Sequence, residues 1–341
     1  MLLNIRHVSH YRYEYPVPYA VQRLRLRPPT VPGQMVKHWE LKIEGGEPEV
    51  SYVDGFGNKT DLVQHARNVS EIVITASGSI DVEDRVGVLG PVYGYAPLWL
   101  FERETPLTAP GERIRALAAD LATGQERLAL MHDLMSTIHK TVAYMPGTTS
   151  VSTDAESALE SGKGVCQDQT HIFLSTARLI GIPARYVSGY LMMEGVEEQT
   201  ASHAWAEAHI DGLGWVGFDA ANNVCPNDRY VRIATGLDYR DAAPVRGQRD
   251  LVHVHPDLVQ LGLDLRQLRG FLGRQLQHAH AGPHQGTQHV GAAGRADPGL
   301  KGIERRDLLG RQPHRDRLAA GGRGIALARF GLARAPHLRS A

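Results

Sequence analysis

The sequence predicts an α+β protein: an antiparallel β-sandwich, then a core of helices packed on an antiparallel sheet, then a low-order tail. Three observations predict it. Apolar residues alternate with polar ones from residue 2 to about residue 85, helical three- and four-residue spacing begins after residue 107, and the composition changes abruptly after residue 247. A chain of 341 residues with an apolar fraction of 42% has enough material for two cores.

The first region spans 1–85. Its runs VQRLRLR (21–27), HWELKIE (38–44) and EIVITAS (71–77) have period two, the signature of half-buried strands. DGFGN (54–58) supplies glycines for a reversal and PP and PG punctuate 28–33, so consecutive strands are expected as antiparallel neighbours in a small sandwich. Alternation reports burial rather than chemistry, so this region reads as a packing or substrate-presenting module. Residues 86–106, rich in Gly, Pro and aromatics, read as a connector lying against a surface.

The second region, 107–247, starts with helices. Pro110 sits at the start of GERIRALAADLA, and Leu128, Met131, Leu134, Met135, Ile138 and Val142 share one face of the next segment, with the methionines as core rather than ligands. A short helix, DAESALESG (154–162), has Asp154 as its N-cap and a glycine at its end.

Then comes GKGVCQDQTHIFLSTARLIGIP. Ile172, Leu174, Ala177, Leu179 and Ile180 give a helical apolar pattern that Gly181 and Pro183 stop, which puts Cys166 in the first turn of a buried helix. The free amides and dipole there favour an anion by about 0.3 to 1 kcal/mol. A strongly stabilised thiolate needs a cation as well, usually an imidazolium. His171, five residues on, lies about 500° around the helix and does not stack over Cys166, so it reads as a packed or hydrogen-bonded helix residue.

The better partner lies in ASHAWAEAHIDGLGWVGFDAANN (201–223), where HAWAEAHI alternates as a strand, DGLG turns it and WVGFD returns. With an even loop Asp219 points away from His203. With an odd loop 210 faces 214, 205 faces 219, and His203 becomes the diagonal neighbour of Asp219, a separation of about 7 to 8 Å that the two side chains can bridge. The odd register is expected because Gly212 and Gly214 can supply positive φ. Cys166 as nucleophile, His203 as base and cation, and Asp219 fixing the imidazole tautomer then form a catalytic constellation. Asp168 is sufficiently explained as a carboxylate at the helix dipole, Trp205 and Trp215 are either walls of an acyl channel or core aromatics, and Cys225 reads as an ordinary loop thiol.

The run GKGVCQDQTHIFLSTARLIGIPARYVSGY, then SHAWAEAHIDGLGWVGFDAANN and DRYVRIATGLDYRDAAPVRG, resembles the bacterial branch of the transglutaminase-like superfamily. The segment IRHVSHYRYEYPVPYAVQRLRLRPPTVPGQ likewise resembles the β-rich domain that precedes the core in that branch. The resemblance covers about residues 1–247. It implies a papain-like core in which Cys166, His203 and Asp219 inherit triad roles and transfer an acyl group through a thioester, with the Cys166 N–H as one oxyanion donor.

The charge balance of 37 basic and 37 acidic side chains is accidental: residues 241–341 carry 1 Lys and 15 Arg against 7 Asp and 1 Glu, a net of +8, which leaves −8 for residues 1–240. An acidic body gives no electrostatic reason to expect nucleic acid. Two cysteines without C-x-x-C spacing build neither a disulfide framework nor a Cys-rich zinc site. The N-terminus lacks the apolar core of a secretory signal and no 18-residue apolar run occurs, so a cytoplasmic location without a membrane partner is expected. No cofactor or metal is expected; no acidic D-x-D-x-D-G loop offers a calcium site.

Residues 248–341 form an atypical Arg-, Gly- and His-rich tail. No Tyr or Trp and only two Phe fall beyond residue 240, and 258–276 alone has the pattern of an amphipathic helix. Such composition suits disorder or an out-of-frame reading of the gene. No closing strand reads from 248 onward; should that strand be missing, the core has one unprotected sheet edge. The functional expectation is hydrolysis of an amide or peptide bond in a protein or peptide substrate. The alternatives are transamidation of Gln to Lys through the same thioester, and a catalytically silent scaffold.

Overall fold

The computed structural model describes residues 1–91, 96–121, 125–193, 198–199, 202–247 and 327–334. The amphipathic pattern at 258–276 lies outside them. In chain order the elements are β1 (Leu2–Val17), β2 (Val21–Arg27), β3 (Gln34–Glu44), β4 (Gly46–Val53), β5 (Lys59–His65), β6 (Val69–Val82), β7 (Val88–Gly90), α1 (Glu112–Asp120), α2 (Arg127–Thr141), β8 (Ala143–Tyr144), α3 (Ala155–Ser161) and β9 (Lys163–Gly164). They continue with α4 (Cys166–Leu179), β10 (Ala184–Leu191), β11 (Glu198–Gln199), β12 (His203–Ile210), β13 (Gly214–Phe218), β14 (Tyr230–Gly236), α5 (Tyr239–Ala242), β15 (Val245–Gly247) and β16 (Leu327–Arg334).

The α+β class read from the sequence is the one observed. Two antiparallel sheets, β11-β16-β1-β6-β3 and β15-β2-β5-β4, make the sandwich. The period-two residues Leu24, Leu26 and Val63 of one sheet meet Ile72, Ile74 and Ala76 of the other in a buried cluster. Asp54 shapes the DGFGN reversal by accepting the N–H groups of Phe56 and Asn58, both at 3.0 Å, with Gly57 at φ 86°.

Farther along β6, Ile80 and Val82, with Leu3 and Ile5 of β1, belong to a second buried cluster that also holds Met131, Leu134, Met135 and Ile138 of α2 and most of the apolar side chains of α4. One strand face therefore serves two cores.

The core sheet has the order β14-β10-β12-β13-β7. Nearly every residue of α4 is buried, from Cys166 through Arg178, and the alanines at 204, 206 and 208 on β12 present only small side chains beneath it. Arg178 fastens the far end of α4: its guanidinium donates to the carbonyls of Phe101 at 3.0 Å, Ala184 at 2.9 Å and Leu237 at 2.6 Å and to Thr108 Oγ1 at 3.0 Å, which keeps a buried cation fully partnered. Asp154 caps α3 by accepting from Ser157 N at 2.9 Å, and Gly162 ends it in the left-handed region.

Three features depart from the sequence reading. Residues 86–106 are more than a connector: Val88–Gly90 pairs with β13 as the outer strand of the core sheet, and Phe101 packs edge-on to Trp215. A strand does occur beyond residue 248, since β16 pairs with β1 from Leu3↔Arg334 to His10↔Leu327; backbone pairing needs no strict alternation of side chains. The outer edge of β14 is also protected. Gln34 donates Nε2 to Arg232 O at 3.0 Å and accepts Arg232 N at 2.8 Å, and Asn58 donates Nδ2 to Thr235 O at 2.7 Å and accepts Thr235 N at 2.8 Å. Two side-chain amides from the sandwich region stand in for a neighbouring strand. Among the described residues no helix is long and apolar enough to cross a membrane.

Candidate active site

Cys166 is the first residue of α4, follows the turn left by Gly162 and Gly164, and keeps 8% of its surface exposed. Its approach is held by Asp168, whose Oδ2 accepts Val165 N at 2.8 Å and Thr149 Oγ1 at 2.7 Å. Asp168 thus ties the helix start to the 145–153 loop, and burial pushes its carboxyl pKa up. The sequence places Asp168 at the helix dipole; the structure adds its bonds to the Val165 N–H and the Thr149 hydroxyl. The backbone N–H of Cys166 sits in the first turn, where no intrahelical acceptor exists.

The β12–β13 hairpin takes the odd register. Ile210 faces Gly214, Ala206 faces Phe218, and Gly212 and Gly214 have φ of 80° and 77°. His203, the first residue of β12, and Asp219, just past the end of β13, are consequently joined, with Nε2 to Oδ2 at 2.7 Å. The Cys166 side chain acts on the same imidazole and favours its charged form. Because Nε2 serves Asp219, Nδ1 is the nitrogen left for the thiol.

Burial works against the charge of His203, but the hydrogen bonds and charges of Asp219 and Cys166 outweigh it and push its pKa up to about 10. Burial alone would raise the pKa of Asp219; the hydrogen bond and charge of His203, then Asn222 and Tyr230, hold it below the usual carboxylate range. The carboxylate is saturated with donors. Oδ2 accepts His203, Asn222 Nδ2 at 2.7 Å and Tyr230 OH at 2.7 Å, and Oδ1 accepts the N–H groups of Ala221 at 3.0 Å and Asn222 at 3.3 Å. A carboxylate so held cannot swing away from the ring it orients.

Trp205 stacks along His203 at 6.3 Å and meets Tyr230 edge-on at 5.5 Å, so it walls the pair. Trp215 sits elsewhere, in the cluster with Leu89 and Phe101 under the guanidinium of Arg185. His171 is fully buried, accepts Tyr239 N at 3.2 Å and has its pKa lowered to about 4 by burial, which fits a packed helix residue. Cys225 lies against Gly87, and burial raises its thiol pKa.

Sequence reasoning missed Tyr230, Asn222 and Tyr144. Asn222 carried a local signal, an Asn three residues after Asp219 in a DAANN turn. Tyr230 carried none, since it reaches Asp219 from another strand. Tyr144 lies opposite Gly164 in the short β8–β9 pair, is half exposed, and has its pKa raised by burial and by the charges of Cys166 and Asp219, so it stays a neutral hydroxyl beside the site.

Comparison with known proteins agrees with this architecture. Residues 3–81 match the bacterial transglutaminase-like N-terminal region, and residues 115–220 match the transglutaminase-like superfamily. An uncharacterized protein of Mycobacterium leprae is 27% identical over 258 residues, covering 72% of this chain and 92% of that protein. One from Mycobacterium tuberculosis is 28% identical over 276 residues, covering 72% and 86%. Among solved structures, a candidate cysteine protease from Cytophaga hutchinsonii superposes with a TM-score of 0.60 at 21% identity, over 72% of this chain and 85% of that one, a likeness of fold. On the fold described, residues 3–81 are thus a bacterial transglutaminase-like N-terminal region and residues 115–220 a core of the transglutaminase-like superfamily, in that order.

Proposed function

We propose that the protein is a thiol-dependent acyl-transfer enzyme that hydrolyses an amide bond in a peptide or protein. One observation carries the reading: the Asp219 carboxylate holds the His203 imidazole at 2.7 Å, and the influence of Asp219 and Cys166 together pushes the pKa of that ring up to about 10. A ring so poised takes the thiol proton and forms a thiolate–imidazolium pair.

Attack of the Cys166 sulfur on the amide carbonyl forms the C–S bond, and the oxyanion accepts the Cys166 N–H. The imidazolium returns its Nδ1 proton to the nitrogen as the C–N bond breaks, and the amine leaves. The thioester is then attacked by water that gives a proton to Nδ1; the C–S bond breaks, the acid leaves and the thiolate–imidazolium pair is restored. Asp219 keeps Nε2 protonated throughout, so Nδ1 alone does the proton work. Water is assigned as acceptor because, among the described residues, no side-chain group beside Cys166 marks a dedicated amine site.

Iodoacetamide labelling of the two free cysteines across pH 5 to 9 tests the pair. Cys166 is expected to label well below pH 8.5 and Cys225 slowly; equal slow labelling of both sinks the enzymatic reading. Turnover of peptide libraries with and without a fluorescent primary amine then separates the acceptors. Cleavage without incorporation supports hydrolysis, and amine incorporation with ammonia release replaces it by transamidation.

A further inference from the structure

Alternation along β12 sends Trp205 and Glu207 to the face opposite Ala204, Ala206 and Ala208, where residues of the N-terminal region lie over the sheet. A crevice of about 70 Å³ opens there, bordered among others by Gln34, Gly87, Trp205, Glu207, Tyr230 and Arg232. Glu207 is almost fully buried and receives two guanidiniums, Arg185 through Nε at 2.7 Å and Arg232 through Nη2. Two cations share one carboxylate, and among the described residues no other acid is within ion-pair reach of either. A surplus positive charge remains in a place where charges are normally matched.

Two donors have no partner among the described residues: the indole Nε1 of Trp205, a residue only 2% exposed, and Nε of Arg232. Both belong to side chains that border the crevice, and both can only donate. A water would accept either hydrogen bond but would leave the charge unmatched.

We propose that this crevice binds a small monovalent anion, a halide or a simple carboxylate, between Arg232 Nε and Trp205 Nε1. It is separate from the acyl-transfer groups but one side chain away from them, since Trp205 stacks on His203 and the Tyr230 hydroxyl donates to Asp219.

The chloride-35 NMR linewidth of sodium chloride, measured with the full chain, reads binding without any turnover. Failure here is therefore distinct from failure of the acyl-transfer reading. The expected result is saturable excess broadening that sodium formate reverses; reversal at lower concentration than chloride itself needs makes the carboxylate the preferred occupant. Arg232→Gln is expected to weaken chloride at least 10-fold, and Trp205→Phe, which keeps the ring but loses the N–H, about 3- to 10-fold. Should Arg232→Gln fail to fold, Trp205→Phe decides. Broadening that never saturates, or a folded Trp205→Phe variant that binds chloride as the wild type does, overturns the proposal.

Discussion

The pKa of His203 is pushed up to about 10 in a buried place because Asp219 and Cys166 favour the charged ring more strongly than burial opposes it. Asp219→Asn removes the charge but keeps the shape, so the ring loses its fixed tautomer. Turnover is expected to fall about 10²- to 10⁴-fold with little change in KM, measured on whichever peptide the wild type cleaves. The same pairing makes stability depend on pH. The folded pKa of His203 is raised, so its contribution is complete below the unfolded value near 6.5 and fades as pH rises through about 10; that of Asp219 is depressed, so its contribution is present above about pH 4 and lost as acid protonates it. Denaturant unfolding of wild type and His203→Gln should therefore differ most between about pH 4.5 and 6.5, by an amount on the order of a few kcal/mol, and converge toward pH 10. A gap that widens with rising pH would contradict the assignment. The pairing of His203 with Asp219 was legible in the sequence because the strand period and the turn glycines fix which way each side chain points, whereas the role of Cys166 beside them came from the resemblance of three ordered blocks to the transglutaminase-like superfamily. Tyr230 was not legible, because a residue that acts across strands leaves no mark in local spacing.

The hairpin β12–β13 shows how one turn decides chemistry at an element's far end. A one-residue change of register would send Asp219 to the opposite sheet face from His203. The turn is fixed by Gly212 and Gly214, both at positive φ, and a Cβ on Gly214 would meet the carbonyl carbon of Gly90 on β7 at 2.4 Å. Gly214→Ala combines left-handed strain with a collision against backbone that cannot rotate aside. A loss of about 2 to 4 kcal/mol is expected from chemical denaturation, with slower Cys166 labelling if the register shifts. Gly212→Ala meets no atom within 4 Å and should cost only the conformational penalty, about 1 kcal/mol. The glycines made this register readable in advance. The strand they pack against was not readable, because three residues, Val88–Gly90, are too few for a period to show.

At the scale of the molecule, the sandwich region completes the core physically. Leu3, Ile5, Ile80 and Val82 join the buried cluster beneath the helices, and Gln34 and Asn58 close the edge of β14. Neither device is visible in the sequence: a buried Gln and a buried Asn in loops or strand ends look like surface polar residues until the strand they satisfy is in place. β14 in turn carries Tyr230 and Arg232, so the edge closure supports the Asp219 network from outside. Asn58→Ala strips partners from both the N–H and the C=O of Thr235 and is expected to cost about 2 to 3 kcal/mol, and Gln34→Ala a similar amount at Arg232. The double variant distinguishes two pictures of the edge. If β14 is held rigidly by its pairing with β10, the two losses add within about 0.5 kcal/mol, as for independent sites. If the edge opens as one unit once either amide is gone, the second substitution costs much less than the first, and amide hydrogen exchange along Tyr230–Gly236 accelerates in each single variant alike. The matching pattern of two buried amides, each satisfying both backbone groups of one residue, favours independent clamps; near-additive losses in the unfolding curves, with exchange rising only beside the residue removed, are the expected outcome.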